Sequence, residues 1–138
     1  MDATILLIAD YASLDAAGKL TVVGAFNRIF VPHFPVKHPS LYVTIRFVAE
    51  LGETEQQRFL EVFLVDEDYK RLWSTPPIPF KITAPQSGVV AEFTPIIAIQ
   101  QIEFSKPGRY EFKVKVDSEI KGSIPFDVVL VEQPPASE

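Results

Sequence analysis

From Gly108 to Asp117 the chain alternates. Tyr110, Phe112, Val114 and Val116 are apolar, and Arg109, Glu111, Lys113, Lys115 and Asp117 between them are charged. A period of two sustained this long predicts a strand with one buried face and one wet face. The charged face points to an antiparallel sheet, because parallel sheets are normally covered on both sides. Pro107-Gly108 marks the turn that feeds the strand. Asp117 to Gly122 then turns the chain into a partner strand ending near Glu132.

The same rhythm locates the remaining strands. Ala3–Ser13 and Lys19–Val31 are β-rich runs separated by Asp15-Ala16-Ala17-Gly18, where Gly18 supplies the positive φ of a short hairpin loop. Leu41, Val43, Ile45, Phe47 and Ala49 make one face of a further strand, with Thr44 and Arg46 on the other. In Arg58–Asp66, Phe59, Phe63 and Val65 fall on one side and Leu60, Val62 and Leu64 on the other. Apolar residues on both faces predict a central strand, or one covered by a partner subunit. Ile78–Thr83 and Val89–Phe104 supply two or three more, and no segment has the pattern of a helix. Most prolines, Pro32, Pro35 and Pro39 among them, mark breaks; Pro95 and Pro125 lie in strand-like runs and predict an edge, a bulge or a break there. The expected fold is all-β: a single antiparallel two-sheet β-sandwich of about seven to nine strands, immunoglobulin-like or C2-like. Residues 1–132 form this domain and residues 133–138 a short polar tail.

At 138 residues the chain is large enough for one core without disulfides or metal. The net charge of −5, with no basic cluster, argues against nucleic acid as a partner. The absence of cysteine excludes thiolate catalysis, disulfides and cysteine zinc sites. Asp2 stands where a secretory signal carries positive charge, and Asp10 ends the first apolar run early. No run approaches the roughly 20 apolar residues of a membrane helix. The expectation is a cytoplasmic protein with no membrane partner.

Two stretches carry a resemblance. One is Leu6-Leu7-Ile8-Ala9-Asp10-Tyr11-Ala12-Ser13 with Gly18-Lys19-Leu20-Thr21-Val22-Val23-Gly24-Ala25-Phe26-Asn27-Arg28-Ile29. The other is Pro107-Gly108-Arg109-Tyr110-Glu111-Phe112-Lys113-Val114, with Ile124-Pro125-Phe126-Asp127-Val128. Together they resemble a family of small bacterial all-β proteins of unknown function. The resemblance covers the two ends of the chain better than its middle third. Its motifs are fold-forming and bring no catalytic residues.

Several side-chain groups have a chemical reading beside a plainer one. Asp66, Glu67 and Asp68, with Asp117 on a later turn, are oxygen ligands of the kind a calcium ion takes from converging loops. The plainer reading is a solvated turn, and no Asp-rich spacing motif supports the ion. His33 and His38 lack metal-ligand spacing and read as exposed residues of an extended crossover. Phe34 in the same proline-rich segment is either an exposed anchor for a partner or a cap on the core. Asp10 lies on the Leu6/Ile8/Ala12 side of its strand, where a carboxylate serves as a buried acid or, more simply, accepts strand-end hydrogen bonds. Tyr11, Tyr42, Tyr69, Tyr110 and Trp73 are candidates for a sugar-stacking platform, although strands are rich in aromatics anyway. Tyr110 also suits a tyrosine corner. No Gly-x-Ser-x-Gly or phosphate loop is present, and no catalytic residue or cofactor is predicted.

The leading expectation is a non-catalytic protein-interaction or self-associating module. Its contact surface comprises His33, Phe34, Phe59, Phe63 and Val65, and its expected assembly is a homodimer. The alternative is a ligand-, carbohydrate- or calcium-binding sandwich. An enzyme, the weakest reading, requires Asp10 and Asp117 to converge in a cleft.

Overall fold

The computed structural model of the chain describes residues 1–86 and 88–131. The expected tail, residues 133–138, lies outside the described residues. Strand β1 runs Asp2–Leu14, β2 Leu20–Phe26, β3 Arg28–Val31 and β4 Val36–Ala49. A single 3-10 turn at Leu51–Glu53 follows. Then come β5 (Arg58–Val65), β6 (Arg71–Ser74), β7 (Ile78–Phe80), β8 (Ala91–Phe93), β9 (Ile96–Phe104), β10 (Gly108–Val116) and β11 (Glu119–Leu130). The first sheet is ordered β2-β1-β4, with both β8 and β9 against β4. The second is ordered β3-β11-β10-β5, with both β6 and β7 against β5. No helix among the described residues is long and apolar enough to cross a membrane.

The two sheets share one core. The predicted Leu41/Val43/Ile45/Phe47 row and the Tyr110/Phe112/Val114/Val116 row both face it and are buried. Leu60, Val62 and Leu64 join them from β5, Ile124, Phe126 and Val128 from β11, and Ile29 and Val31 from β3. Tyr110 closes one end: its Oη donates to the Lys106 carbonyl at 2.5 Å, the loop bond of a tyrosine corner. Burial pushes the phenol pKa above 10.0.

Three expectations are corrected. The described residues form 11 strands rather than about seven to nine. The Lys19–Val31 run is two strands, because Phe26 pairs Ile8 in one sheet and Arg28 pairs Asp127 in the other. The four-residue β6 is too short to show a period. Nor are the sheets wholly antiparallel, since β3 runs parallel to β11. Finally, Pro39 does not break its strand but lies within β4. Over Val36–Ser40 only β9 pairs with β4, because β1 pairs no further along it than Tyr42. The missing N–H therefore costs nothing on the open side. Pro125 meets the edge expectation similarly, since β3 reaches β11 only from Asp127 onward.

Strand β1 is apolar on both sides for a reason that its period does not reveal. Ile8 faces the core, so Ala9 and, on β4, Thr44 face outward, yet both are 0% exposed. Their cover is the chain's own β1–β2 hairpin, which leaves β4 after Ala9 and turns back over the outside of the first sheet. Tyr11 meets Tyr42 edge-on, with centroids 5.3 Å apart. At the tip, Arg46 Nη2 donates to the Gly18 carbonyl at 2.9 Å, while its Nε donates to Thr94 Oγ1 at 2.9 Å. Asp15 shapes the tip by accepting from the amides of Ala17 and Lys19.

Arg46→Ala removes the charge-assisted bond at the tip. It is expected to lower stability by about 1.5–3 kcal/mol in denaturant titration. Amide exchange in β2 should accelerate beyond that in β10. A loss below about 0.5 kcal/mol, with β2 exchange unchanged, would show that the hairpin is held by something else.

Candidate functional site

Where the hairpin turns outward, it stops covering the inner side of the first sheet. The result is an open cleft of about 520 Å³ between β2, β3 and the start of β4. Its walls carry Phe26, Ile29, Val31, Pro32 and Val36. Four ionisable side chains line it as well: Asp10, Arg28, Lys37 and His38.

Each position has a local cause. Asp10 stands opposite Gly24 in the β1–β2 register, between the Ala9↔Ala25 and Tyr11↔Val23 pairs. Gly24 has φ +67°, and a Cβ there would stand 2.5 Å from Asp10 Oδ2. The glycine thus supplies both the backbone conformation and the space that the carboxylate occupies. His38 pairs with Ile102 and so lies on the inward side of β4, with its ring tilted against Phe26 at 6.0 Å. Burial holds the imidazole pKa below 6.5, opposed by a hydrogen bond with the Ser40 backbone and by the Asp10 charge. Arg28 and Lys37 are exposed at the cleft, and Phe30 beside them is 62% exposed.

The residues singled out by sequence are dispersed. His33 is exposed, and Phe34 is half-buried against the core, so Phe34 caps the core. Neither lines the cleft, although Pro32 and Val36 on either side of them do. The expected outer patch of Phe59, Phe63 and Val65 does not exist as an open face. Phe63 and Val65 are 8% and 5% exposed. The Arg71 guanidinium lies 3.8 Å from the centre of the Phe63 ring, and β6 and β7 flank β5. Only Phe59 remains open, at 44%.

The four acidic residues do not converge. Asp66 Oδ1 accepts from the amides of Asp68 and Lys70, closing the β5–β6 turn. Glu67 Oε1 accepts from the Arg109 amide at 2.8 Å, packed where a side chain on Gly108 would stand. Asp68 pairs loosely with Lys106 at 3.9 Å. Asp117 accepts from the Phe59 amide at 3.0 Å, near the other end of β5. At strand rise, Phe59 and Asp66 are roughly 20 Å apart. Antiparallel pairing of β5 with β10 fixes that separation. Among the described residues no group of three or more His, Asp or Glu is placed to hold a metal. The aromatic platform is not assembled either, since Tyr110 is buried and Trp73 sits edge-on to Phe112.

A family model spans residues 4–129. The chain belongs to a family of unknown function, DUF6941. No curated protein matches this DUF6941 member. Among solved structures it is similar to Pseudomonas fluorescens alkylpurine DNA glycosylase AlkC bound to DNA containing an abasic site analog. The TM-score is 0.52 at 13% identity, over 93% of this chain and 30% of that one. At that identity the likeness is one of fold, and the DUF6941 chain corresponds to under a third of the glycosylase.

The alternation of β1 puts Asp10 on the inward side, but nothing local in the sequence joins it to His38, Arg28 or Lys37. The signal available was Gly24, a glycine inside a β-rich run (where it often marks a close approach).

His38 is expected to titrate below 6.5 in the folded DUF6941 chain, followed by its ring proton signals in NMR. Asp10→Asn removes a charge that favours the imidazolium, so the midpoint should move further down. A midpoint unmoved or raised in that variant would contradict the placement of Asp10 beside His38.

Proposed function

We propose that this protein is a non-catalytic interaction module of the bacterial cytoplasm, and that its recognition site is the cleft beside β3. The immunoglobulin-like version of the sandwich is the one favoured, supported by the Tyr110 corner. One observation carries the binding reading: an apolar floor edged by Arg28 and Lys37 in a chain of net charge −5. Two exposed cations beside uncovered apolar surface suit an apolar group carrying negative charge, a side chain or a small amphiphile. Carbohydrate suits this lining less well, because the aromatic side chains do not form a stacking face. Calcium finds no converging ligands among the described residues.

The enzyme reading needed Asp10 and Asp117 in one cleft. Asp117 lies beside Phe59 at the far end of β10, away from the cleft. Nucleic acid is disfavoured by the acidic net charge.

The cleft is tested with anilinonaphthalene sulfonate, an aromatic anion whose emission rises in apolar surroundings. At about 1 µM protein, where weak association is dilute, enhanced emission is expected. The double variant Arg28→Glu/Lys37→Glu, changed only at exposed positions, should lose most of it while keeping its fold by circular dichroism. Equal emission from both proteins would overturn the reading.

A further inference from the structure

We infer that the cleft is filled by a second copy of this chain, in a two-fold dimer that joins the β3 edges. This rests on reading the cleft as a recognition site and names its occupant.

Strand β3 is one free edge of the second sheet. On one side the Asn27 and Val31 carbonyls accept from the amides of Asp127 and Val131. In a parallel ladder alternate residues face the neighbour, so the amide and carbonyl groups of Arg28 and Phe30 point the other way. An open edge of this kind is a template for another strand. Four other outer strands are blunted. Gly24 at φ +67° kinks β2, and the hairpin carries that strand away. Gln101 at φ +56° interrupts β9 opposite Pro39, Pro79 sits in β7, and the β5–β6 register slips between Leu64 and Val65. Short length and Arg28 are the only such devices on β3.

The surroundings of β3 are complementary to themselves. A two-fold interface places one patch against its own copy, so the patch must hold both halves of every contact. This one holds an open apolar side chain, Phe30, at the rim of a hole, the cleft, whose lining it shares. It holds cations, Arg28 and Lys37, and an anion, Asp10, on the cleft lining. Two β3 strands related by a two-fold axis run antiparallel, the direction in which short strands pair directly. Each Phe30 then enters the partner's cleft, and each Arg28 approaches the partner's Asp10. The patch is smaller than the roughly 20–30 residues a side of a standard interface, so the expected dissociation constant is micromolar.

Sedimentation velocity from about 1 to 200 µM tests this on the full chain. The wild type should shift from monomer to dimer, and Phe30→Asp should weaken association about tenfold or more. Arg28→Asp and Asp10→Arg should each weaken it, and the double variant should recover part of the loss, because the swapped charges meet again across the axis. That recovery is not expected of residues that merely support the fold. A monomer at every concentration overturns the dimer, and leaves the cleft reading intact if the sulfonate probe still binds. A dimer indifferent to Phe30→Asp also overturns it, placing the interface elsewhere. Loss of both dimer and probe binding would remove the cleft reading as well.

Discussion

The Arg46 guanidinium fixes the tip of the β1–β2 hairpin to the outside of the first sheet, and the edge chemistry of the molecule follows from that attachment. Its two donors reach the Gly18 carbonyl and Thr94 at once. Held this way, the hairpin covers Ala9 and Thr44, which would otherwise face water. The covering has a cost, since Thr44 Oγ1 is buried without a hydrogen-bond partner. The same bend withdraws β2 from the gap between the sheets. It leaves Asp10, Phe26 and His38 lining a cleft instead of a sealed core.

The two outer faces are consequently different in kind. On the second sheet Lys113 pairs with Glu111 at 2.6 Å and Lys115 with Glu61 at 3.8 Å. Both pairs are half-buried at the surface. Their effect is to keep a broad sheet face wet and unattractive to other sheets. The first sheet needs no charged face where its own hairpin is the cover. At the β3 edge, by contrast, apolar and ionic groups lie open together around a cleft.

The periodic part of this fold was legible in the sequence because alternation is a local property. Tyr110 to Val116 and Leu41 to Ala49 announced their faces, and both rows are in the core. The two-sided apolar character of Arg58–Val65 correctly marked a central strand, but not what lay over its outer side. Phe63 is covered by Arg71, a residue of β6, whose four residues are too few for a period. The bend in β1 was invisible for a related reason. A strand that folds back over its own sheet has the same alternation as one that runs straight. The cleft was harder still, since Asp10, Gly24, Arg28 and His38 come from four strands. Only their tertiary meeting gives them a shared chemistry. The acidic run at Asp66–Asp68 suggests an ion site by composition alone, yet Asp66 bonds within its own turn and Glu67 and Asp68 meet Arg109 and Lys106 from across the fold.

The fold-back of the hairpin is the claim on which the rest stands, and the lack of cysteine makes it directly measurable. A nitroxide attached to Ala17→Cys sits on the exposed tip. If the tip lies over the first sheet, the amide signals of Arg46, Val48 and Glu92 should broaden in NMR spectra of the oxidised label and return on reduction. If those signals stay sharp while only hairpin residues broaden, the hairpin projects away from the sheet and the cleft has lost its cause.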